Sequence, residues 1–341
     1  MWREQKLWIS TPDCATITFR INLKGKPIGF DGVNMRGLST QFMEDLAKGK
    51  LMPYLELVKT DGTLNLEIFN DYVTIFYRGQ RLYAIKTADC GYVFEHTKPI
   101  IGHWAEEAER LIEQERYFDA IPYLKSSWDA RSKKDLDEKE TQQIIVRENN
   151  VSSVAKKNTD YFLVAFEYEF FPGDRTRGIP DLVAVRFDSD SNIRKKGKGQ
   201  LAIIELKYGD NAIGGESGLN KHIADAEVFF SDIERVDALK KEAELLFNQK
   251  YELGIIKSPK KIVIEDSKPE YIIALANHDP CNGTGNNDGE SLYDMLKPYE
   301  NKTFDSFDLK LAIASGVGYG LYSDCMLSVD EFLYECKRFV K

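Results

Sequence analysis

Cysteine and histidine are scarce in this sequence, and their spacing offers no familiar metal site. The five cysteines are widely separated and form no C-x-x-C pair, which argues against structural zinc and against a disulfide framework. His96, His103 and His278 likewise lack metal-ligand spacing and are expected to be structural. Neither glycine-rich segment, 209–215 or 282–289, ends in the Gly-Lys-Ser/Thr of a P-loop.

Long apolar runs are absent as well. No segment approaches the ~18 apolar residues that a membrane span requires. The N-terminus also lacks the charged-then-apolar pattern of a signal peptide. We therefore expect a cytoplasmic protein with no membrane partner.

Basic residues are not in excess. The formal net charge is −9, and the acidic excess lies entirely after residue 100. This is not the profile of a strongly basic nucleic-acid-binding protein, although a basic groove can be local. The composition argues against tight DNA binding without a metal ion.

The chain has 341 residues, long enough for two domains. Short alternating segments predict a β-rich N-terminal domain over 1–100, with hairpins at 60–63 and 79–80 and strands at 15–22, 54–58, 64–69, 72–78 and 81–86. Residues 101–135 are expected to form a helical linker, broken into two helices by Pro122.

The second predicted domain, 136–341, has a regular element order. Helices are expected over 136–148, from 218, and from Ser231 and Ser328 with capping-box glutamates; strands are expected over 161–170, 181–187, 201–207, 271–276 and 307–314. The order from 136 to 276 is therefore α-β-β-β-α-(α)-β.

Three charged residues stand out on two of these strands. Asp181 begins one strand, and Glu205 and Lys207 lie on the next, pointing to the same face because side chains alternate along a strand. Charged groups on an otherwise apolar strand are costly to bury unless they pair or hold a metal. Two acids and a lysine at the end of a sheet can bind a hard divalent cation and activate water.

These residues, Pro180-Asp181 and Glu205-Leu206-Lys207 within the α-β-β-β-α-β order, resemble the PD-(D/E)xK nuclease superfamily. The resemblance covers 136–276, less than half of the chain. It implies an α/β (α+β), restriction-endonuclease-like core with a mixed central sheet. It also implies hydrolysis of phosphodiester bonds with Mg²⁺ or Mn²⁺, and it favours DNA over RNA. The alternative interpretation is that Glu205 and Lys207 form a surface ion pair on an edge strand and have no role in catalysis.

Roles for the motif residues follow from the resemblance. Asp181 and Glu205 would ligate the metal together with the backbone carbonyl of Leu206. Lys207 would lie beside the attacking water or the scissile phosphate. A helix before the first strand supplies another acid in many family members, and Glu140 is preferred over Glu148 for that role. The alternative is that both glutamates are ordinary charged residues on the solvated face of a helix.

Candidate substrate contacts lie on either side of the motif. Lys221 or His222, on the helix after Lys207, is a candidate for an active-site role. The alternative is that both side chains lie on the hydrated outer face of this helix. Arg175 and Arg177 precede Pro180 and could contact phosphate, since arginine matches phosphate geometry. The alternative is that they belong to an ordinary polar loop.

Two other functions stay open at this level. One is a nucleic-acid-binding or scaffold protein that keeps the fold without turnover, which the intact Asp181, Glu205 and Lys207 argue against. The other is a protein whose N-terminal domain acts mainly through protein contacts. In the nuclease interpretation that domain selects a substrate or partner. A homodimer, the commonest symmetric oligomer, would allow double-strand cutting, and the sequence leaves the oligomeric state undetermined.

Overall fold

A computed structural model describes residues 35–96, 102–130, 137–152, 159–166, 181–209, 212–215, 218–276, 291–313 and 319–337. The strand expected at 15–22 lies outside these residues.

The first part of the described chain is built around an antiparallel meander. Two short helices come before it and two follow it: α1 (Thr40–Lys48), α2 (Met52–Thr60), α3 (Ala105–Glu113) and α4 (Tyr117–Asp129). The sheet has the order β1-β2-β3-β4, with strands β1 (Leu64–Ile68), β2 (Tyr72–Tyr77), β3 (Gln80–Ala88) and β4 (Gly91–His96).

The second part is built on a larger sheet. Its helices are α5 (Asp137–Asn150), α6 (Ser191–Lys196), α7 (Leu219–Phe230), α8 (Ile233–Glu252), α9 (Leu292–Leu296) and α10 (Val329–Cys336). Its strands are β5 (Tyr161–Phe166), β6 (Leu182–Arg186), β7 (Lys198–Tyr208), β8 (Val263–Ile264), β9 (Glu270–Ala276), β10 (Asp308–Ile313) and β11 (Met326–Leu327).

The larger sheet is mixed, as the resemblance implies. Its strand order is β11-β10-β9-β7-β6-β5, and β8 pairs with the beginning of β7. β7, β9 and β10 run parallel, whereas β5, β6 and β7 alternate in direction. The predicted order α-β-β-β-α-(α)-β is observed from α5 to β9, with two short insertions: α6 between β6 and β7, and β8 between α8 and β9.

Helices cover both faces of this sheet. Ile145 and Val146 of α5 pack on one face, in a cluster with Leu206. On the other face Ile223 of α7 and Phe247 of α8 join a larger core that continues into the N-terminal meander. The central strand β7 is consequently buried over nearly its whole length.

A buried ion pair joins the two sheets. Nζ of Lys250, on α8, donates to Oε2 of Glu67, on β1, at 2.8 Å, and both side chains are 1% exposed or less. Asn65 donates to the other oxygen of Glu67 at 2.7 Å. Burial lowers the pKa of Lys250, opposed by the charge of Glu67. Each charge is therefore tolerated only because its partner is present.

Three local expectations are wrong. Residues 54–58 lie in α2, because Tyr54, Leu55 and Val58 form one buried helical face. The 60–63 segment consequently joins a helix to β1 and is not a hairpin. Pro122 lies inside α4, and the break between helices falls at 114–116, where Glu115 has a φ of 57°.

Other local features agree with the sequence more closely. β2 and β3 form the second predicted hairpin, turning at Arg78 and Gly79 with φ of 49° and 70°, as a two-residue turn requires. The Ser328–Glu331 capping box is present, whereas α8 is capped by Asp232 instead of Ser231. Cys325 and Cys336 keep their thiols outside any disulfide, whereas Cys90 is disulfide-bonded, which the spacing did not predict. None of the described helices is long and apolar enough to cross a membrane.

The buried pair leads to a stability prediction. Lys250→Met should lower the free energy of unfolding by about 3–5 kcal/mol, because it leaves the Glu67 carboxylate buried without its ammonium. Urea denaturation followed by circular dichroism measures the change. Lys261→Met, which removes an exposed pair with Glu252, should change the same quantity by less than ~1 kcal/mol. Equal losses in the two variants would contradict this account of the pair.

Candidate active site

Asp181 lies one residue before β6, at the end of the sheet where β7 finishes. The last rung between the two strands pairs Leu182 with Ile204, which places Asp181 beside Glu205 and Leu206. Oδ2 of Asp181 accepts a hydrogen bond from the Leu206 N–H at 2.7 Å. The N–H and C=O of one strand residue point to the same neighbour, so the Leu206 carbonyl also faces the Asp181 side.

Glu205, Lys207 and His222 form a compact polar cluster on the opposite side of β7 from α5. Nζ of Lys207 donates to Oε1 of Glu205 at 2.9 Å. Nδ1 of His222, from the first turn of α7, lies 3.2 Å from the same oxygen, and its Nε2 lies 2.9 Å from Nζ of Lys207. Glu205 is 4% exposed and Lys207 8%, so the strand burial predicted from the sequence is present.

These contacts fix the proton positions on His222. The Lys207 ammonium can only donate, so Nε2 of the imidazole must accept. A neutral ring then carries its proton on Nδ1, which faces the Glu205 carboxylate. The cluster is therefore an ordered chain from ammonium to imidazole to carboxylate.

Negative charge is in excess around Asp181. Burial raises the pKa of Asp181 well above its usual range, and the charge of Glu205 raises it further. The Leu206 N–H and the Lys207 ammonium oppose this shift without cancelling it. The pKa of the buried Tyr271 is also raised, first by burial and then by Glu205 and Asp181. A cation beside the two carboxylates would relieve this repulsion.

The donor atoms suit a hard divalent cation only if the backbone and water contribute. Within the described ranges no three His, Cys, Asp or Glu side chains group into a metal site. The hydrogen bonds of Asp181 and Glu205 engage Oδ2 and Oε1, leaving Oδ1 and Oε2 without a bond to any described residue. Two carboxylate oxygens and the Leu206 carbonyl, completed by waters, match the partial protein coordination that Mg²⁺ usually has.

Helix α5 approaches this end of the sheet with its N-terminus. At its C-terminal end, Asn150 bonds both the N–H and the C=O of Leu163, on the half of β5 far from Asp181. Glu138 is 12 residues earlier, about 18 Å along the helix toward Asp181. Its charge contributes to the raised pKa of Asp181.

The preferred helix acid, Glu140, has a different partner. Both its oxygens accept from Arg78 of the β2–β3 turn at 2.9 Å. Glu148 lines a groove beside the N-terminal sheet. Glu138 is not among the predicted candidates, although it begins the helix face that continues through the buried Gln142, Ile145 and Asn149.

The other predicted contacts lie away from the cluster or outside the described residues. Lys221 bonds Asp225 one helical turn later, at 2.6 and 2.8 Å, and its side chain is half exposed. Its neighbour His222 is the residue of that predicted pair that reaches Glu205 and Lys207. Arg175, Arg177 and Pro180 lie outside the described residues.

The tautomer of His222 is open to direct measurement. We expect ¹⁵N-histidine spectra of the chain to show a neutral Nδ1–H ring for His222, assigned by its absence from His222→Gln. Only four histidines are present, which keeps the spectrum simple. Lys207→Met should shift this signal because Nε2 loses its donor. An Nε2–H ring in the wild type would contradict the cluster described above.

Comparisons of the chain with protein-family models, curated proteins and solved structures find no match. The functional conclusion therefore depends on the geometry of Asp181, Glu205, Leu206 and Lys207.

Proposed function

We propose that this chain is a metal-dependent nuclease of the PD-(D/E)xK type, which hydrolyses phosphodiester bonds of DNA in preference to RNA. One observation carries the proposal: Asp181 bonds the strand that bears Glu205 and Lys207, where burial and the charge of Glu205 both raise the pKa of Asp181. The α-β-β-β-α-β order and the mixed sheet support a restriction-endonuclease-like core.

Oδ1 of Asp181, Oε2 of Glu205 and the Leu206 carbonyl would hold Mg²⁺ or Mn²⁺. When bound, the ion would supply a water of lowered pKa and positive charge for the phosphoryl oxygens. Glu205 would bind through one oxygen, because its Oε1 already accepts from Lys207. Glu138 takes the place of Glu140 in this scheme, as the helix acid whose charge reaches Asp181.

Lys207 would orient the attacking water or a phosphate oxygen. An ammonium has three N–H donors. Two of them are directed at Glu205 and His222, so one remains for the reacting groups. Because both contacts are formed within the protein, the ammonium is held in place before a substrate arrives, which favours electrostatic stabilisation of the transition state.

The acidic balance of the chain sets an order of events. With a net charge of −9 and an acidic cluster at the site, a phosphate backbone would be repelled until a cation is bound. Metal binding should therefore precede substrate binding. Cleavage of both DNA strands would require a second site, which a homodimer would provide.

The first test is cleavage of linear, circular and single-stranded DNA and of RNA. Wild type should cut only with Mg²⁺ or Mn²⁺, and Asp181→Ala and Lys207→Ala should be slower by about 10²–10³, the usual loss of one electrostatic group. Lys198→Ala is the control: Lys198 lies on the same strand as Lys207 but forms an exposed ion pair with Glu265, so its loss should leave the rate unchanged.

Equal cutting by wild type and Lys207→Ala would contradict the mechanism. Metal-dependent binding of DNA without cleavage would favour the non-catalytic binding protein instead.

A second test isolates the metal site from catalysis. Mn²⁺ at about 100 times its dissociation constant should stabilise the wild type by about 2.7 kcal/mol, which differential scanning calorimetry registers as a rise in Tm of several degrees. Asp181→Asn should abolish the rise. Asp266→Asn, at an exposed aspartate paired with Lys240, should keep it. A rise in Asp181→Asn equal to that of wild type would exclude Asp181 as a ligand.

A further inference from the structure

Two lysine-rich segments, 194–198 and 257–261, meet at the beginning of β7. β8 follows the second segment and pairs in parallel with the first residues of β7. Nζ of Lys260 donates to the carbonyl of Lys195 at 3.0 Å. The pairing of β8 with β7 therefore brings together lysines that are 65 residues apart in the chain.

Gly197 allows the two segments to approach closely. It ends α6 with a φ of 68°, a conformation that favours glycine. A Cβ atom at this position would lie 3.0 Å from Cε of Lys260 and 3.2 Å from its Nζ. The Lys260 side chain thus crosses the end of α6, next to the turn that contains Lys195 and Lys196.

Lys195, Lys196 and Lys260 form what we call the lysine patch. All three are exposed, and none of them forms an ion pair with a residue in the described part of the chain. The flanking Lys198 and Lys261, by contrast, each have a glutamate partner. Ammonium groups held together without a carboxylate repel one another, and a polyanion would relieve that repulsion.

The lysine patch also has a structural role at the end of α6. Cations in the last turn of a helix interact favourably with its dipole, and a lysine can hydrogen-bond one of the last carbonyls, as Lys260 does. That role alone would affect only the stability of the protein. It does not account for further cations beyond α6.

Such cations lie in a neighbouring groove of about 710 Å³, which four cations and two carboxylates line. Lys257, three residues before Lys260, is exposed there, and Arg147 of α5 lies in the same wall. One terminal nitrogen of Arg147 donates to the carbonyls of Val58 and Leu64, and its other nitrogens bond no described residue. Burial lowers the pKa of Arg147, as expected for a guanidinium that has no carboxylate partner among those residues.

The lysine patch and the candidate active site lie at opposite ends of β7. Lys198 begins the strand, and Lys207 follows nine residues later, which is about 30 Å at the usual rise of a strand. B-DNA rises about 3.4 Å for each base pair. A duplex that contacts both ends of β7 would therefore span about nine base pairs.

We propose that the lysine patch, extended by Lys257 and Arg147, binds the phosphate backbone of DNA. This inference deepens the proposed function and rests on it, because it takes the polyanion to be the substrate of the site at the other end of β7. It gives a chain of net charge −9 a local surface that holds DNA without a metal ion. Contacts to phosphates alone carry no base sequence specificity and give weak binding, with Kd of about 10⁻⁴–10⁻⁶ M.

The test is the salt dependence of DNA binding by the full chain in EDTA, measured by fluorescence anisotropy of a labelled duplex of about 25 base pairs, longer than β7. Chelation removes the cation that the catalytic carboxylates require, so the measurement isolates the lysine patch. Wild-type affinity should fall between about 50 and 200 mM salt. Lys195→Gln combined with Lys260→Gln should reduce the slope of log K against log salt by about 1.8, since each phosphate contact contributes about 0.9.

A second variant avoids the end of α6. Lys257→Gln removes one charge from the groove and keeps the backbone N–H that bonds the Asn150 carbonyl. It should reduce the slope by about 0.9. The matched control is Lys48→Gln combined with Lys50→Gln, which removes two exposed charges at the end of α1 and should leave the slope unchanged.

The outcomes separate the lysine patch from the nuclease. Equal slopes in wild type and in the Lys195→Gln, Lys260→Gln variant would overturn the binding surface, and metal-dependent cleavage would still support the nuclease. A lower Tm with an unchanged slope would assign these lysines to the end of α6 alone. Metal-free binding that depends on the patch, in a chain that never cleaves DNA, would support the surface and overturn the nuclease.

Two further results would also overturn the DNA-binding surface. An equal loss of slope in the control variant would make the effect one of net charge. Patch-dependent binding to phosphatidylserine vesicles, in a chain that binds no DNA, would assign the surface to an anionic membrane.

Discussion

The pairing register between β6 and β7 is the constraint on which the site depends. Leu182 opposite Ile204 is the last rung, and one step further the chain brings Asp181 to the N–H of Leu206. A slip of one residue would turn Glu205 to the α5 face and bury its charge among apolar side chains. The parallel pairing of β7 with β9 on its other side opposes such a slip. The position of the charged groups is thus determined by apolar rungs that take no part in the chemistry.

The two carboxylates of the site differ in how their charge is compensated. One oxygen of Glu205 is neutralised inside the protein by Lys207, with His222 bridging the two, so the lysine can stay buried and ordered. Among the described residues, Asp181 has no such cation beside it: burial raises its pKa well above the usual range, and the charge of Glu205 raises it further. A folded protein that keeps such repulsion in place can release it when a cation binds. Preorganised charge of this type is a common origin of metal affinity and of rate enhancement.

The sequence predicted the parts of this arrangement that have a local cause. Apolar runs located β6 and β7, and strand alternation placed Glu205 and Lys207 on one face. The partner of Glu140, Arg78, depends on which sheet each face of α5 meets, and that is a tertiary property. The helix at 54–58 was missed for a related reason, because its apolar residues fit both a short strand and one helical face. Contacts between two distant segments, such as Arg78 with Glu140, leave no trace in local patterns.

The ion pair between Glu67 and Lys250 has a consequence for how this chain can diversify. Its two halves belong to different sheets, and neither charge has water to replace a lost partner. An exchange of the N-terminal sheet for one without a carboxylate at the position of Glu67 would leave the Lys250 ammonium buried and without its partner. The stability of each sheet therefore depends on the other, and a recombination that separates them near residue 130 should lower the stability of the product.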